Sequence, residues 1–401
     1  MIDLEALRGC YTPTPSKIVM LVVDGLGGLP HPNTGRSELE TANLPHLNAM
    51  ARESACGLTT PVLPGVAPGS GPGHLALFGY NPLKYVIGRG ALEALGLDVH
   101  LQPGDVAARG NFCTIDGNGM LVDRRAGRIP TELSAPLCQR LGQIELEGAA
   151  VDVYPVEGYR FVLKLRGDGL SERISETDPQ QVGVPPLPVQ PLEPAADKTA
   201  RLVNAFVAQA KQLLAEEERG NMVLLRGYAQ LPNLPPMGQV YRLNPAGIAA
   251  YPMYRGLATV AGMKVIPTGL MFADEVDTLH QNFQTHDFFF IHYKPADAAG
   301  EDGDFEAKVR RLEELDPFIP RIRELEPDVF LVAGDHSTPA IMAAHSWHPV
   351  PFMLRSRLTQ GDGVSGFNER TCAQGSIGRI PATQVMLLAL AHAGKLNKFG
   401  P

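Results

Sequence analysis

The chain of 401 residues is 44% hydrophobic and 19% charged, a globular balance long enough for two or three domains or for one large α/β domain with an insertion. Its 35 Lys and Arg against 43 Asp and Glu give a formal charge of −8, which argues against non-specific nucleic-acid binding but leaves room for local arginines to take a small anion. No apolar run approaches the roughly 20 residues of a spanning helix, and MIDLEALRGCYTPTPSK lacks the apolar segment of a leader. The five cysteines (Cys10, Cys56, Cys113, Cys138, Cys372) are scattered and form no CxxC pair, so neither a disulfide framework nor a cysteine zinc site is expected, and a reducing cytoplasm is the expected home.

In chain order, Ile18–Val23 (IVMLVV) is the first predicted strand, apolar on both faces and ending at Asp24. Asn43 is placed to cap a helix over Leu44–Arg52, with Pro45 in its first turn. Residues 62–82 (VLPGVAPGSGPGHLALFGYNP) set Ser70 in a glycine- and proline-rich loop just before an apolar stretch from His74. If that stretch is helical, its free N–H groups make an anion site, and a serine there could attack phosphorus once a metal lowers the pKa of its hydroxyl. From about Asp105 to Ile174 the chain changes character. Strand-like stretches at Asn111–Ile115, Met120–Asp123 and Tyr159–Leu165 are broken by Gly and Asp, which predicts an α+β insertion. The proline-rich Gln180–Pro194 reads as a semi-rigid connector, a hinge between core and insertion. A helix follows over Ala195–Arg219, closed by Gly220. Strands are then expected at Asp287–Tyr293, leading to Lys294 and Asp297, and at Asp328–Ala333, leading to Gly334-Asp335-His336. Phe305–Leu315 and Ala382–Ala393 complete the predicted helices, the latter followed by Gly394.

The predicted fold is therefore α/β: a mostly parallel sheet sandwiched by helices, with a smaller inserted α+β domain. Its division is 1–104 for the first part of the core, 105–182 for the insertion and 183–401 for the second part. Ligand sites in open α/β sheets lie outside the carboxyl ends of the strands. Asp24, Asp297, Asp335 and His336 all fall there, and buried carboxylates gathered at one edge require a compensating cation, so divalent metal binding is expected. His345 is a further ligand candidate.

Together the motifs resemble the archaeal-type, cofactor-independent (2,3-bisphosphoglycerate-independent) phosphoglycerate mutases of the alkaline phosphatase superfamily. The stretches that carry the resemblance include VVDGLGGLP, ETANLPHLNAMA, PGSGPGHLALFGYNP, GRGALEALG, GDVAARGNF, VDRRAGRI, AAYPMYRGLA, DGDFEAK, AGDHSTP and the terminal KFGP. The resemblance implies an alkaline-phosphatase-like core that binds two divalent ions (Mn, Zn or Co, with Mg compatible). It also implies transfer of a phosphoryl group between 3- and 2-phosphoglycerate through a phosphoserine, in glycolysis and gluconeogenesis. Carried over residue by residue, Ser70 is the nucleophile and Lys294 lies near the transferring group. Asp24, Ser70, Asp335 and His336 hold one metal, and Asp297 and His345 belong to the other. Arg89, Arg109, Arg125, Arg128 and Arg255 are implied anion clamps. The implied partner is a small phosphorylated substrate, with neither nucleic acid nor membrane, and a homo-oligomer is left open.

The chain departs from the family pattern near the implied site. Glu301 stands where a histidine ligand is usual and is taken as a carboxylate ligand in its place; His348 is a second candidate for that role. The serine loop reads Gly69-Ser70-Gly71-Pro72-Gly73-His74 and lacks the usual Asp and Thr after the serine. In the insertion, Tyr159 and Gln180 replace usual histidines. These changes leave two alternatives to the mutase: a metal-dependent phosphohydrolase or phosphotransferase on another small substrate, and a non-catalytic paralogue.

Overall fold

The computed structural model describes residues 7–231 and 233–400, so the first six residues of the N-terminal stretch read above lie outside it. The described residues form two compact units, one built from the chain up to Val86 and again from Leu234, the other being Ile87–Asn233. Thirteen strands are assigned among the described residues. They are β1 (Ile18–Val23), β2 (Ala55–Thr60), β3 (Val106–Ile115), β4 (Leu121–Asp123), β5 (Ala150–Pro155), β6 (Arg160–Arg166), β7 (Met222–Ala229), β8 (Pro245–Ile248), β9 (Lys264–Val265), β10 (Phe288–Tyr293), β11 (Val329–Ala333), β12 (Val350–Ser356) and β13 (Gly378–Pro381).

The first unit is an eight-stranded sheet ordered β13-β2-β12-β11-β1-β10-β8-β9, in which β12 alone runs against the rest. The expected central strands are there, and every residue of β1, β10 and β11 is buried. Both faces of these strands are buried, one of them in a cluster of aliphatic and aromatic side chains shared with helices, which is why the three runs are apolar throughout instead of alternating. β1 pairs in parallel with β10 on one side and β11 on the other. Their carboxyl ends therefore emerge side by side.

Three helix boundaries differ from the sequence reading, the last helix being a 3₁₀ turn at Ala382–Gln384 that leads into an α-helix over Val385–His392. The helix after β1 spans Pro45–Arg52 with Leu44, not Asn43, in the cap position. Its open N–H groups at His46 and Leu47 instead donate to the two oxygens of Asp316, at 3.0 and 2.8 Å. A distant carboxylate supplies the cap that a local side chain was expected to give. The long helix of the second unit is Asp197–Leu213 and stops short of Gly220. Leu214 is the last buried apolar residue of the repeat, and the acidic run after it has no core to face; Arg140 ties this end down by donating to the Leu213 carbonyl and pairing with Glu217. Gly220, at φ +79°, turns the chain into β7.

The second unit is an antiparallel sheet, β4-β3-β6-β5, with β7 also paired to β3. The expected insertion 105–182 lies inside it, but the unit reaches further in both directions. The helix Arg89–Gly96 packs on β3, β6 and β7 through Ala91 and Ala94, and β7 and the helix Asp197–Leu213 complete its sheet and core. The proline-rich Gln180–Pro194 is consequently not a connector between units. It lies within the second, held by Asn204 on both polar groups of Val189 (2.9 Å each) and by Leu187 N–H on the Thr177 carbonyl (2.8 Å). No described helix is long and apolar enough to cross a membrane.

Candidate active site

Adjacent parallel strands bring the predicted residues to one place. Asp24 follows β1, Asp335 and His336 follow β11, and β10 runs into Lys294 and the short helix Pro295–Glu301 that carries Asp297 and Glu301. Ser70 opens the helix Ser70–Leu77. Two glycines make the approach possible. A Cβ on Gly73 would lie 2.3 Å from the Asp335 carbonyl oxygen, so this helix packs backbone to backbone on the Asp335 loop. Gly25, at φ +63°, turns the chain after Asp24 where a Cβ would strike both Asp297 and Thr338 at 2.7 Å.

Three oxygens converge on one nitrogen. His336 Nε2 lies 3.2 Å from Ser70 Oγ, 3.3 Å from Asp24 Oδ1 and 3.2 Å from Asp335 Oδ2. The tautomer follows from the other side of the ring. The single Thr338 hydroxyl proton goes to Asp297 Oδ1 (2.6 Å), so at His336 Nδ1 (3.0 Å) the Thr338 oxygen accepts. In the neutral ring, Nδ1 thus carries the proton and Nε2 presents a lone pair. Asp24 Oδ1 and Asp335 Oδ2 are buried and accept no hydrogen bond. An imidazole lone pair, two carboxylate oxygens and a hydroxyl roughly 3–3.5 Å apart are the spacing that a divalent cation about 2.1 Å from each ligand requires.

A second set lies beside the first. His345 Nε2 is 3.3 Å from Glu301 Oε1 and 3.6 Å from Asp297 Oδ1. Its Nδ1 donates to the Pro68 carbonyl at 2.9 Å, which again leaves Nε2 facing the carboxylates. Burial opposes charge on His345, but the Glu301 carboxylate and the Pro68 carbonyl outweigh it and raise the imidazole to about 9. Asp297, His336 and His345 form one potential metal-ligand group, and Asp24, Asp335 and His336 form the other. Glu301 and His348 join neither group; the His348 Nδ1 faces the Ser346 hydroxyl at 3.1 Å. Lys294 Nζ bridges the sets, contacting Asp24 Oδ2 at 3.3 Å and Asp297 Oδ2. Burial disfavours its charge, and the two aspartates more than restore it. Four carboxylates facing one ammonium leave a net negative, largely buried site, and the residues present fit divalent cations.

A layer that the sequence reading did not single out supports Asp24 and Asp335. Asp24 Oδ2 accepts from the Tyr254 hydroxyl and lies 3.1 Å from His292 Nε2. Burial alone would raise Asp24, but the His292 hydrogen bond and Lys294 hold it well below the usual carboxylate range. The Tyr254 and His292 rings stack with centroids 3.5 Å apart. Burial drives the His292 imidazole down to about 4, so the ring is neutral there. His74 Nδ1 donates to the Ser70 carbonyl at 2.8 Å and lies 3.2 Å from Asp335 Oδ2. One signal was available: His292 is the only basic side chain within the apolar run FFFIHY.

Beneath this layer, buried Glu275 fixes its spacing by accepting from Ala250 N–H (2.9 Å) and His292 N–H (3.2 Å). Burial raises its carboxyl from the ordinary 4.5 to about 8, against the pull of those two donors. The folded state therefore keeps a proton that the unfolded chain releases. The resulting stability is full below about 4.5 and is lost as pH rises through about 8. Tm of the wild type is expected to fall from pH 5 to pH 8 more steeply than that of Glu275→Gln; parallel curves would exclude this role.

The arginines divide between the units. In the second unit, Arg89 Nε and Arg109 Nη1 share Glu93 Oε1, at 3.2 and 3.3 Å. Arg226, opposite Arg109 across β3 and β7, and Arg160 add two cations that the sequence reading did not list. Burial lowers Arg109 first; Glu93 opposes, Arg89, Arg226 and Arg160 push it further down, and it reaches about 10. Buried Arg109 Nε and Arg226 Nε have no acceptor. Arg125 and Arg128 are exposed, and Arg128 lines a different groove with Pro130, Leu133 and Arg219. Arg255 belongs to the first unit and donates to the Ala250 carbonyl at 2.6 Å.

Fold and site define an α/β enzyme in which a serine at a helix start meets carboxylates and histidines at strand ends. A family profile described as 2,3-bisphosphoglycerate-independent phosphoglycerate mutase matches residues 51–219. A protein of Thermus thermophilus named probable 2,3-bisphosphoglycerate-independent phosphoglycerate mutase is 49% identical over 399 residues, 98% of each chain. One of Thermotoga maritima with the same name is 48% identical over 398 residues, 99% of this chain and 98% of the other. Among solved structures, a Pyrococcus horikoshii protein superposes with a TM-score of 0.84 at 26% identity, covering 96% of this chain and 99% of its own. The cofactor-independent phosphoglycerate mutase of Thermoplasma acidophilum gives 0.72 at 29%, covering 94% and 100%. The chain belongs to the 2,3-bisphosphoglycerate-independent phosphoglycerate mutase family. These relatives favour neither the phosphohydrolase nor the non-catalytic alternative.

Proposed function

We propose that this chain interconverts 3- and 2-phosphoglycerate through a phosphoserine at Ser70, with two divalent cations. One would be held by Asp24, Asp335, His336 and Ser70, and the other by Asp297, Glu301 and His345. The observation that carries this reading is the convergence of Ser70 Oγ, Asp24 Oδ1 and Asp335 Oδ2 on the His336 Nε2 lone pair within 3.2–3.3 Å. Bound cations would lower the pKa of the serine hydroxyl and spread the charge of the phosphoryl group in transit. The Ser70 hydroxyl loses its proton and its oxygen forms the bond to phosphorus while the ester bond to glycerate breaks. The departing glycerate oxygen takes up a proton. The reverse transfer to the other glycerate hydroxyl restores Ser70. Lys294, charged between Asp24 and Asp297, supplies a fixed positive group for the phosphoryl oxygens. The cluster of Arg89, Arg109, Arg160 and Arg226, with unused buried donors, is the anion-binding surface of the second unit, and its guanidinium forks suit carboxylate and phosphate ends. Manganese is the preferred ion of this reading, because carboxylates outnumber histidines in both sets. The five free, buried cysteines are consistent with the cytoplasmic home expected above.

The test is phosphorus NMR of purified protein with 3-phosphoglycerate and Mn²⁺ or Co²⁺, without 2,3-bisphosphoglycerate. Formation of 2-phosphoglycerate is expected. Free phosphate without isomer would replace this reading by the phosphohydrolase, and inertness with Mn²⁺, Co²⁺, Zn²⁺ and Mg²⁺ would leave the non-catalytic one.

A further inference from the structure

The helix Phe305–Leu315, capped by the Asp304 side chain on Ala307 N–H, carries one lysine into the interior. Lys308 is fully buried, and no step described above uses it. Its ammonium donates three hydrogen bonds, to the carbonyls of Gly25 (2.9 Å), Gly27 (3.0 Å) and Thr338 (2.8 Å). Three donors meet three acceptors, so the group is saturated. The Glu38 carboxylate stands 4.0 Å away and balances the charge without displacing a carbonyl. Glu38 itself accepts from Ala340 N–H at 2.8 Å, and Glu369 accepts from Gly28 N–H at 2.7 Å. The loops after β1 and β11 are thus fastened to one buried cation, the buried Glu38 and the half-buried Glu369.

Those loops carry the ligands. Gly25 directly follows Asp24, and its missing Cβ lets it lie against Asp297 and Thr338. Thr338 closes the circuit: its carbonyl accepts from Lys308, while its hydroxyl donates to Asp297 Oδ1 and accepts from His336 Nδ1. Thr338 N–H also donates to the Gly27 carbonyl at 3.0 Å, the same oxygen that Lys308 holds. One ammonium therefore sets the distance between the Asp24 loop and the His336–Thr338 loop, and through the Thr338 hydroxyl the orientation of a ligand in each set.

We propose that Lys308 is a positioning residue of the metal site, holding the Asp24 and His336–Thr338 loops at the spacing that two divalent cations require. The proposal rests on the metal reading given under Proposed function. It reaches beyond that reading because Lys308 touches neither a ligand side chain nor the serine. Two loops that carry three ligands between them, Asp24, Asp335 and His336, keep their fold when the tether is cut but lose their mutual spacing. Supporting groups of this kind change metal affinity or turnover by about 10–100-fold.

The test compares wild type with Lys308→Met, which keeps the length and removes the donors. Mn²⁺ binding is titrated by electron paramagnetic resonance of the free ion, alongside kcat and KM for 3-phosphoglycerate and Tm without metal. K308M is expected to bind Mn²⁺ about 10–100-fold more weakly and to lose about as much in kcat, with KM within about twofold. A folded K308M with wild-type Mn²⁺ affinity and kcat would overturn the proposal. Should K308M not fold, Glu38→Gln is added to it so that no buried charge is left unpaired, and the same measurements apply. Failure of that double variant to fold as well would assign Lys308 to the fold alone and overturn the proposal too. Wild type that binds no Mn²⁺ would instead overturn the metal reading, and this inference with it.

Discussion

Ser70→Ala is expected to abolish isomerisation, lowering kcat by at least about 10⁴-fold, while leaving the fold intact and Mn²⁺ binding by the carboxylates close to wild type. The size of the effect follows from the proposed chemistry. A nucleophile that becomes covalently attached to phosphorus has no substitute once its oxygen is gone, and the remaining groups only bind and orient. The small structural cost follows from local geometry. Gly69, not Ser70, occupies the cap position of the helix Ser70–Leu77, so no cap is lost with the hydroxyl. The contact of this residue with His74 is made by its backbone carbonyl, which alanine retains. The variant also reports on mechanism. Intact-mass measurement after mixing with 3-phosphoglycerate should show a phosphate adduct on wild type and none on S70A. Turnover by S70A, or an adduct mapped to another residue, would remove Ser70 from the role.

What the sequence made legible, and what it did not, follows the range of the interactions concerned. The strands β1, β10 and β11 were readable because burial on both faces writes an uninterrupted apolar run, and the acids that end them stood out against it. Parallel pairing then did the rest, since neighbouring strands of one direction must present Asp24, Asp297 and Asp335 at one edge. The supporting groups were hidden because each is explained only by a distant partner. Tyr254 is an unremarkable aromatic in a helix until the fold stacks it on His292 and aims it at Asp24, 230 positions away. Lys308 reads as an ordinary charge in EAKVRR until three carbonyls from two other loops surround it. The cap on Pro45–Arg52 comes from Asp316, which no local rule could supply. Arg226 was passed over for a similar reason: only the register of β7 on β3 sets it opposite Arg109. The breadth of the second unit was misread where composition changes without a change of unit. The proline-rich segment lacks regular structure, yet Asn204 and Thr177 bind it to its own unit.

Asp335→Asn is expected to cost the metal-free fold a little and the loaded site a great deal. In the metal-free protein, Asp335 is a fully buried carboxylate beside Asp24; burial and that neighbour oppose its charge, but His336 and His74 outweigh them and hold its carboxyl below the ordinary range. Its Oδ1 accepts from Gly25 N–H at 3.2 Å, a bond that an asparagine oxygen keeps. Its Oδ2 lies 3.2 Å from both His336 Nε2 and His74 Nδ1, two imidazoles that favour its charge. The substitution removes the negative partner of both imidazoles while keeping the Gly25 bond, so metal-free Tm should fall below that of wild type. With cations present the gap widens. A ligand oxygen has become a donor, so Mn²⁺ affinity and kcat should each fall by more than about 100-fold. Wild type at an Mn²⁺ concentration of about 100 Kd gains roughly 2.7 kcal/mol from binding, and the variant at the same concentration should gain little of it. Differential scanning fluorimetry with and without Mn²⁺, and after removal of the ion by a chelator, reads both halves. A variant raised in Tm by Mn²⁺ as much as wild type is would mean that Asp335 serves the fold and holds no cation.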